Sequence, residues 1–444
     1  MASTFPVTPA GGTTVPFSKY TAGITESFPV NSRNRMIESS ISSTHEVKYN
    51  PVNMSSTNGI NDRYLEYRIN GTSGTLINMN SLKLKLSIQF SRIDNTNAAP
   101  THIDLVNNFV NTIFKQITIS FNGKTVESKM HYGVLSYIKT LKETDEQTIK
   151  VCGGAGSLRD DSAELIDEYT AASFAAGTPG RTRSEALFNG VTTMWSLTPD
   201  ISTIDMYLID NVDVNIRLEL YDNKMIVNSH EAIDNLNLTI RSAELHVDKL
   251  VPFPNAMLAL YESLKLNPIE YMFTKSTAKS YVIGSGENTK SIDNPFGNCV
   301  PNKLTMVLTG METFTGRHNK NPLFFGSYNL SNVNITVNSV TKYNYRINSN
   351  DYSQIFLGTQ KAIGNHCKNM IMYEKFLSGR GIFCFDFIAE DMPEVIPSDL
   401  SGHLKIELNF SVNTPHPLLA LLIADTTGII TIDSERSIYL DTRG

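Results

Sequence analysis

The fold of this 444-residue chain is decided by stretches such as Leu82-Lys83-Leu84-Lys85-Leu86-Ser87-Ile88-Gln89-Phe90, in which apolar and polar residues alternate without interruption. Similar alternation runs from Val212 to Leu220, from Val333 to Val337 and from Leu404 to Val412. A period of two places every second side chain on one face, so each stretch predicts a β-strand with one buried and one solvated face. Because such strands lie on both sides of one short proline-flanked helix, the sequence predicts two packed β-sandwiches.

The residues on the apolar faces of these strands are expected to form the sandwich cores. Ile117, Ile119 and Phe121 alternate in the same way up to Asn122-Gly123, the strongest short sequence signal for a β-hairpin. A slip in the phase of the alternation after Ile240 indicates a β-bulge. The predicted core residues are Leu84, Leu86, Ile117, Ile119, Val214, Ile216, Leu218, Ile335, Ile406 and Leu408.

The pattern divides the chain into four segments. They are an N-terminal arm at 1–44, a first sandwich at 45–250, a connecting helix at 251–268 and a second sandwich at 269–444. Residues 152–195 break the strand pattern and are expected to form a loop or tower on the surface. Helical spacing predicts further helices from Val134 to Leu141 and around Tyr352 to Gly358.

The N-terminal arm has no periodicity and few charges, but it carries spaced aromatic residues among small residues and prolines. These aromatic residues are Phe5, Phe17, Tyr20 and Phe28. One interpretation is a disordered tail. The other is an inter-subunit arm that becomes ordered when its aromatic side chains enter pockets of a neighbouring copy. The sequence leaves both interpretations open.

Composition excludes several classes of function. The chain is 41% hydrophobic and 18% charged, with a net charge of -6 and no block of like charges. Without a basic stripe, direct sequence-specific binding of nucleic acid is not expected. The N-terminus has neither a basic region nor an apolar stretch, so no secretory signal is expected. The most apolar tract, Leu418 to Ile423, is too short to span a membrane.

No catalytic, cofactor or metal site is predicted. The nine histidines and four cysteines show no metal-ligand spacing, so the cysteines are interpreted as free or buried thiols. Gly123-Lys124-Thr125 lacks the first glycine of a phosphate-binding loop and lies in a hairpin turn. Asp386 and Glu390 are acids near the end of a strand, which are far more often solvated or hydrogen-bonded than catalytic.

Several motifs occur in a fixed order along the chain. They include Leu65-Glu66-Tyr67-Arg68-Ile69, Ile119-Ser120-Phe121-Asn122-Gly123-Lys124, Leu208-Ile209-Asp210-Asn211-Val212, Lys320-Asn321-Pro322-Leu323-Phe324 and Ile432-Asp433-Ser434-Glu435-Arg436. This ordered set resembles the major capsid protein of Polinton/Maverick elements and the related adintoviruses, over about residues 45 to 440. The resemblance implies an all-β double jelly roll, in which two eight-stranded sandwiches stand side by side with a short connecting helix and surface loop insertions.

The resemblance implies a structural function and no enzymatic one. Three copies would form a pseudo-hexameric capsomer, and capsomers would tile an icosahedral shell around double-stranded DNA in the virion. The partners implied are other copies of the chain, a penton protein and minor capsid proteins. Two alternatives are a carbohydrate- or receptor-binding β-sandwich protein and a β-sandwich hydrolase. The first requires an aromatic or calcium site and the second requires two facing carboxylates, and the sequence offers little support for either.

Overall fold

The computed structural model describes residues 40–53, 63–92, 102–230, 236–349, 351–364, 368–388 and 400–441. The four aromatic residues of the predicted arm lie outside the described residues. Two β-sandwiches follow one another along the chain, and we call them the first roll (residues 41–252) and the second roll (residues 269–441). Helix α6, which is described below with the second roll, connects them.

The first roll consists of two four-stranded antiparallel sheets, ordered β1-β10-β3-β7 and β2-β8-β5-β6, and a short pair of strands, β4 and β9. Its strands are β1 (Ile41–Tyr49), β2 (Tyr64–Ile69), β3 (Leu76–Arg92), β4 (Ile103–Leu105), β5 (Phe114–Phe121), β6 (Lys124–Met130), β7 (Val191–Ser196), β8 (Val214–Leu220), β9 (Val227–Ser229) and β10 (Leu236–Pro252). Its helices are α1 (Phe109–Thr112), α2 (Tyr132–Glu143), α3 (Glu146–Gly156), α4 (Pro179–Asn189) and α5 (Asn223–Ile226). Single 3-10 turns lie at Ser162–Leu165, Ala171–Phe174 and Asp200–Thr203.

The second roll repeats this plan, with sheets ordered β11-β20-β14-β17 and β12-β19-β15-β16, and with β21 paired to β20. Its strands are β11 (Ile269–Ile283), β12 (Thr289–Asp293), β13 (Cys299–Val300), β14 (Lys303–Gly310), β15 (Leu330–Val337), β16 (Val340–Arg346), β17 (Ile382–Asp386), β18 (Leu400–Ser401), β19 (Leu404–Phe410), β20 (Leu418–Ile432) and β21 (Ile438–Asp441). The helices are the connecting helix α6 (Pro254–Leu266), then α7 (Met311–Phe314), α8 (Ser353–Ile363) and α9 (Tyr373–Ser378).

The two rolls have the same strand connectivity. When the short strands β4, β9, β13 and β18 and the C-terminal strand β21 are set aside, each roll has eight strands, and both rolls place them in the sheet orders 1-8-3-6 and 2-7-4-5. This alternation of strands between two sheets is the jelly-roll topology. The chain is therefore a double jelly roll, mostly β and antiparallel, which confirms the predicted fold class. Strand β3 corresponds to β14, β7 to β17 and β10 to β20. Helix α2 corresponds to α8, because each lies between the fifth and sixth strands.

Local sequence signals explain several of these elements. Asn122 and Gly123 form the turn between β5 and β6 with positive φ angles of 45° and 80°, the conformation that an Asn-Gly hairpin turn requires. The register of β10 on β3 shifts between Ile240 and Ser242, which confirms the predicted bulge. All ten residues predicted to form the core are at most 1% exposed.

Three expectations about boundaries were wrong. Strand β1 begins at Ile41, inside the predicted arm, and pairs with β10. The sequence did not indicate this strand because it is largely exposed and carries serines and a threonine directly after Ile41, so apolar alternation is absent there. The predicted insertion 152–195 contains helix α4 and ends in β7, whose alternation is concealed because the buried position Thr193 is polar. Strand β19 ends at Phe410, so that Val412, which continues the sequence alternation, is exposed.

Candidate assembly surfaces

Each roll contributes side chains to the hydrophobic core of the other. Val134, Tyr137 and Leu141 of α2 belong to the core of the second roll, and the backbone N–H of Met370 donates to the carbonyl of Leu141 at 3.0 Å. Conversely, Ile438 of β21 packs into the core of the first roll, together with the last residues of β20. The two rolls are therefore joined by exchanged elements along a buried seam, which makes them one packing unit.

Helix α2 lies on the outer face of a second-roll sheet, the face turned away from the core of that roll. Lys142 Nζ donates to Thr305 Oγ1 of β14 at 3.2 Å and lies 3.8 Å from Asp425 Oδ2 of β20. Every residue from Leu304 to Thr309 is buried, and so is every residue from Leu418 to Ala424. Strands buried on both faces are near-continuously apolar, which explains the apolar run of β20.

A cluster of charged side chains is buried at the same seam. The Lys129 ammonium forms an ion pair with Asp200 and lies 3.8 Å from Glu127 Oε1. Glu127 accepts backbone N–H groups of Asp200 and Ile201 at 2.9 Å each, whereas Asp200 accepts the backbone N–H of Ser276, in the second roll, at 2.8 Å. Burial and then the neighbouring Asp200 raise the pKa of Glu127. Burial acts to lower the pKa of Lys129, but the two carboxylates raise it overall.

A second buried network holds the segment between α3 and α4. Arg159 Nη1 donates to Asp104 Oδ1 at 2.9 Å, and its Nε lies 3.0 Å from Glu164 Oε1. Burial raises the pKa of Glu164 to about 7, although the charge of Arg159 opposes the shift. Arg380 of the second roll, which is 1% exposed, lies 2.8 Å from Asp160 Oδ1. The predicted surface insertion is thus tied to both rolls by charged groups.

The outer face of the sheet β1-β10-β3-β7 in the first roll is covered only in part, at the end where Leu76 of β3 and Leu250 of β10 pack against Met257 of helix α6. Along β3 the buried positions alternate with partly or fully exposed ones, among them Lys83 and Lys85. Glu244 of β10 pairs with Lys85 at 3.3 Å, and its Oε2 lies 3.5 Å from His246 Nε2. From Lys83 to Gln89 of β3 this face is polar and partly or fully exposed in the single chain, whereas His246 of β10 is buried.

Two helices also expose apolar side chains. Leu357 of α8 is 65% exposed, and Leu258 and Leu266 of the connecting helix α6 are exposed on the side opposite to the buried Met257 and Leu264. A surface helix of a monomer normally turns its leucines inward. Single exposed leucines are common on protein surfaces, so Leu357 indicates a contact surface only in combination with the unequal cover of the sheets in the two rolls. The sequence does not single out Leu357, because no signal near it distinguishes an outward leucine from an inward one.

The groups considered for chemistry are not brought together. Within the described ranges, no cluster of three or more His, Cys, Asp or Glu side chains is placed to hold a metal ion. Cys152 and Cys384 are free cysteines. Asp386 lies 3.6 Å from Lys303 Nζ, whereas Glu390 is outside the described residues. None of the helices in the described part of the chain is long and apolar enough to cross a membrane.

Solved structures with a similar fold are found, although no protein-family model and no curated protein matches the chain. A cryo-EM structure of the Sputnik virophage is similar with a TM-score of 0.60 and 13% identity, covering 95% of this chain and 92% of that one. The Faustovirus major capsid protein is similar with a TM-score of 0.55 and 8% identity, covering 90% and 92%. The mavirus major capsid protein is similar with a TM-score of 0.50 and 12% identity, covering 99% and 97%.

These similarities define the class of fold. The chain shares the double jelly roll of viral major capsid proteins, and the similarity extends over nearly the full length of both partners. At such low identity it establishes the shared fold, while the role of this chain has to be argued from its own surfaces. The observed seam, the two equivalent rolls and the largely uncovered outer face are the features that bear on that role.

Proposed function

We propose that this protein is the major capsid protein of a virus of the Polinton/Maverick and adintovirus group and has a structural, non-enzymatic function. Three copies form a pseudo-hexameric capsomer, and capsomers tile an icosahedral shell that encloses double-stranded DNA in the virion. The observation that carries the proposal is the presence of two rolls with the same connectivity, joined by a buried seam. The similarity in fold to major capsid proteins supports it.

A rigid pair of equivalent rolls is suited to building a ring. Three chains supply six rolls, and the seam within each chain provides a template for the contact between chains. Such a contact is heterologous, because one surface meets a different surface of the next copy, and it closes when the rotation is one third of a turn. We expect each trimer contact to bury well over about 2,000 Å², the range of obligate interfaces.

The N-terminal arm is proposed to act between subunits. The backbone N–H of Phe253, just before α6, donates to the carbonyl of Ser40 at 3.0 Å, so Ser40 lies beside the start of the connecting helix. We expect deletion of residues 1–39 to spare trimers and to weaken shell assembly, which sedimentation of assembled particles measures. If the deletion leaves only monomers, the arm belongs to the trimer contact instead. A penton protein and minor capsid proteins complete the proposed set of partners.

The experiment that tests the proposal is the mass of the purified protein in solution, measured by light scattering and followed by negative-stain imaging of the same peak. One chain has a mass of 49.3 kDa, so a trimer has three times that mass, about 148 kDa. We expect this mass and particles with hexagonal outlines. A protein that stays monomeric at high concentration would contradict the proposal, and a glycan screen would then test the receptor-binding alternative.

A further inference from the structure

We propose that helix α8 is the surface by which one copy binds the next. It docks on the outer face of the sheet β1-β10-β3-β7 in the first roll of the neighbouring copy. This inference rests on the proposed trimer and identifies the contact that holds it together. The occupant of the α8 surface is thus a second copy of this chain, as the differences between equivalent elements of the two rolls indicate.

The first step is the equivalence of α2 and α8. Both helices follow the fifth strand of their roll. Helix α8 packs beside β17, and the equivalent strand β7 is contacted by α3, the helix that follows α2. Most of the twelve residues of α2 are buried, because α2 lies between the two rolls. In α8, by contrast, Ile355 and Ala362 are buried, while Gln354, Leu357 and Lys361 are exposed. The exposed residues have three- and four-residue spacing, so they form one stripe.

The second step is the difference between equivalent strands. Strand β14 is buried on both faces, because its outer face is covered by α2. Its counterpart β3 is covered by helix α6 at Leu76, but from Leu82 to Phe90 it alternates between buried and partly or fully exposed residues. The single chain thus contains one sheet whose outer face is covered by a helix, one sheet whose outer face is largely uncovered, and one helix with an exposed stripe. Placing α8 on the uncovered sheet repeats the contact that already exists inside the chain.

Charged residues also occupy equivalent positions on the outer faces of the two sheets. On the covered sheet, Asp425 of β20 stands opposite Lys303 of β14 and faces Lys142 of α2. On the uncovered sheet, Glu244 of β10 stands opposite Lys85 of β3, so the eighth strand again carries a carboxylate beside a lysine of the third strand. Lys361 in the last turn of α8 supplies a cation for this carboxylate, as Lys142 supplies one for Asp425. Charge complementarity therefore favours the same docking arrangement.

The test is the solution mass of Leu357→Arg, compared with Val412→Arg as a matched control. Leu357 and Val412 are similarly exposed, at 65% and 61%, but Val412 lies beyond the end of β19 and outside the proposed contact. We expect wild-type thermal unfolding for both variants, a trimer for Val412→Arg and a monomer for Leu357→Arg. Ser87→Trp, which places a large side chain on the outer face of β3, blocks the receiving surface and is also expected to give folded monomers.

The outcomes separate this inference from the trimer itself. A monomeric wild-type protein refutes the proposed function. A trimeric wild type with an equally stable Leu357→Arg trimer overturns the role of α8 and leaves the trimer standing. Dissociation of both Leu357→Arg and Val412→Arg also overturns the role of α8, because the effect is then not specific to the α8 surface. If Leu357→Arg fails to fold, Lys361→Glu replaces it, and a dissociation concentration unchanged from the wild type refutes the inference.

Discussion

Replacement of Lys129 by methionine tests whether the charged cluster stabilises the seam. The substitution removes the cation between Glu127 and Asp200, and Lys129 is only 7% exposed. Removal of one member of a buried ion pair typically costs about 3–5 kcal/mol, because the partner charge stays buried without compensation. A protein of ordinary stability has about 5–15 kcal/mol in total. We therefore expect Lys129→Met to lower the free energy of unfolding by about 3–5 kcal/mol at pH 7.5.

The pH dependence of this loss follows from the carboxylates. The pKa of Glu127 is already raised by burial and by Asp200, and loss of the lysine charge raises it further. The folded variant therefore binds a proton more readily than the unfolded chain does, and its stability rises as the pH falls toward 5. The difference between wild type and variant in urea unfolding should shrink over the same range.

A double-mutant cycle isolates the interaction. Combining Lys129→Met with Asp200→Asn should cost less than the sum of the two single losses, because one partner is then no longer left charged. Lys405→Met is the control, since Lys405 pairs with Glu407 on the exposed surface, where ion pairs contribute little. A loss for Lys129→Met as small as that of the control, or strict additivity in the cycle, would refute the reasoning.

Three further predictions concern the core, the second charged network and the exchanged hairpin. Ile216→Asp places an unpaired charge at a fully buried position and should abolish soluble expression, whereas a wild-type yield would contradict the strand register. The pKa of Glu164 is raised to about 7, so its ionisation destabilises the fold as the pH rises from about 4.5 to 7. We therefore expect Glu164→Gln to flatten the fall in melting temperature over that pH range. An unchanged slope would argue against a raised pKa of Glu164. Truncation after Asp433 removes Ile438 from the first-roll core and also removes the 2.7 Å ion pair of Arg436 with Asp210. Thermal unfolding should therefore occur at a clearly lower temperature. An unchanged midpoint would show that β21 does not stabilise the seam.

Strands with one solvent-exposed face could be predicted from the sequence, whereas the contacts between the two rolls could not. Alternation identified Leu84, Ile216 and Ile406 as inward residues because half-buried strands have a period of two. Alternation did not reveal β7, because the buried residue Thr193 is polar. It also placed Val412 in a strand, although β19 ends at Phe410 and Val412 is exposed. The exchange of α2 and β21 joins elements far apart in the chain, and no local pattern encodes such pairs.

One signal in the sequence did bear on the seam, and its meaning becomes clear only by comparison with the equivalent strands. Leu418 to Ile423 is the most apolar tract of the chain, and the structure buries it on both faces. The equivalent strand β10 has polar residues on its outer face, among them Glu244 and His246. Two strands with one topological position but different outer faces imply different neighbours. The apolar strand has its neighbour within the chain, whereas the polar strand has a face that water can solvate in the single chain. The proposed docking of α8 accounts for that asymmetry between equivalent strands, and it does not depend on any resemblance in sequence.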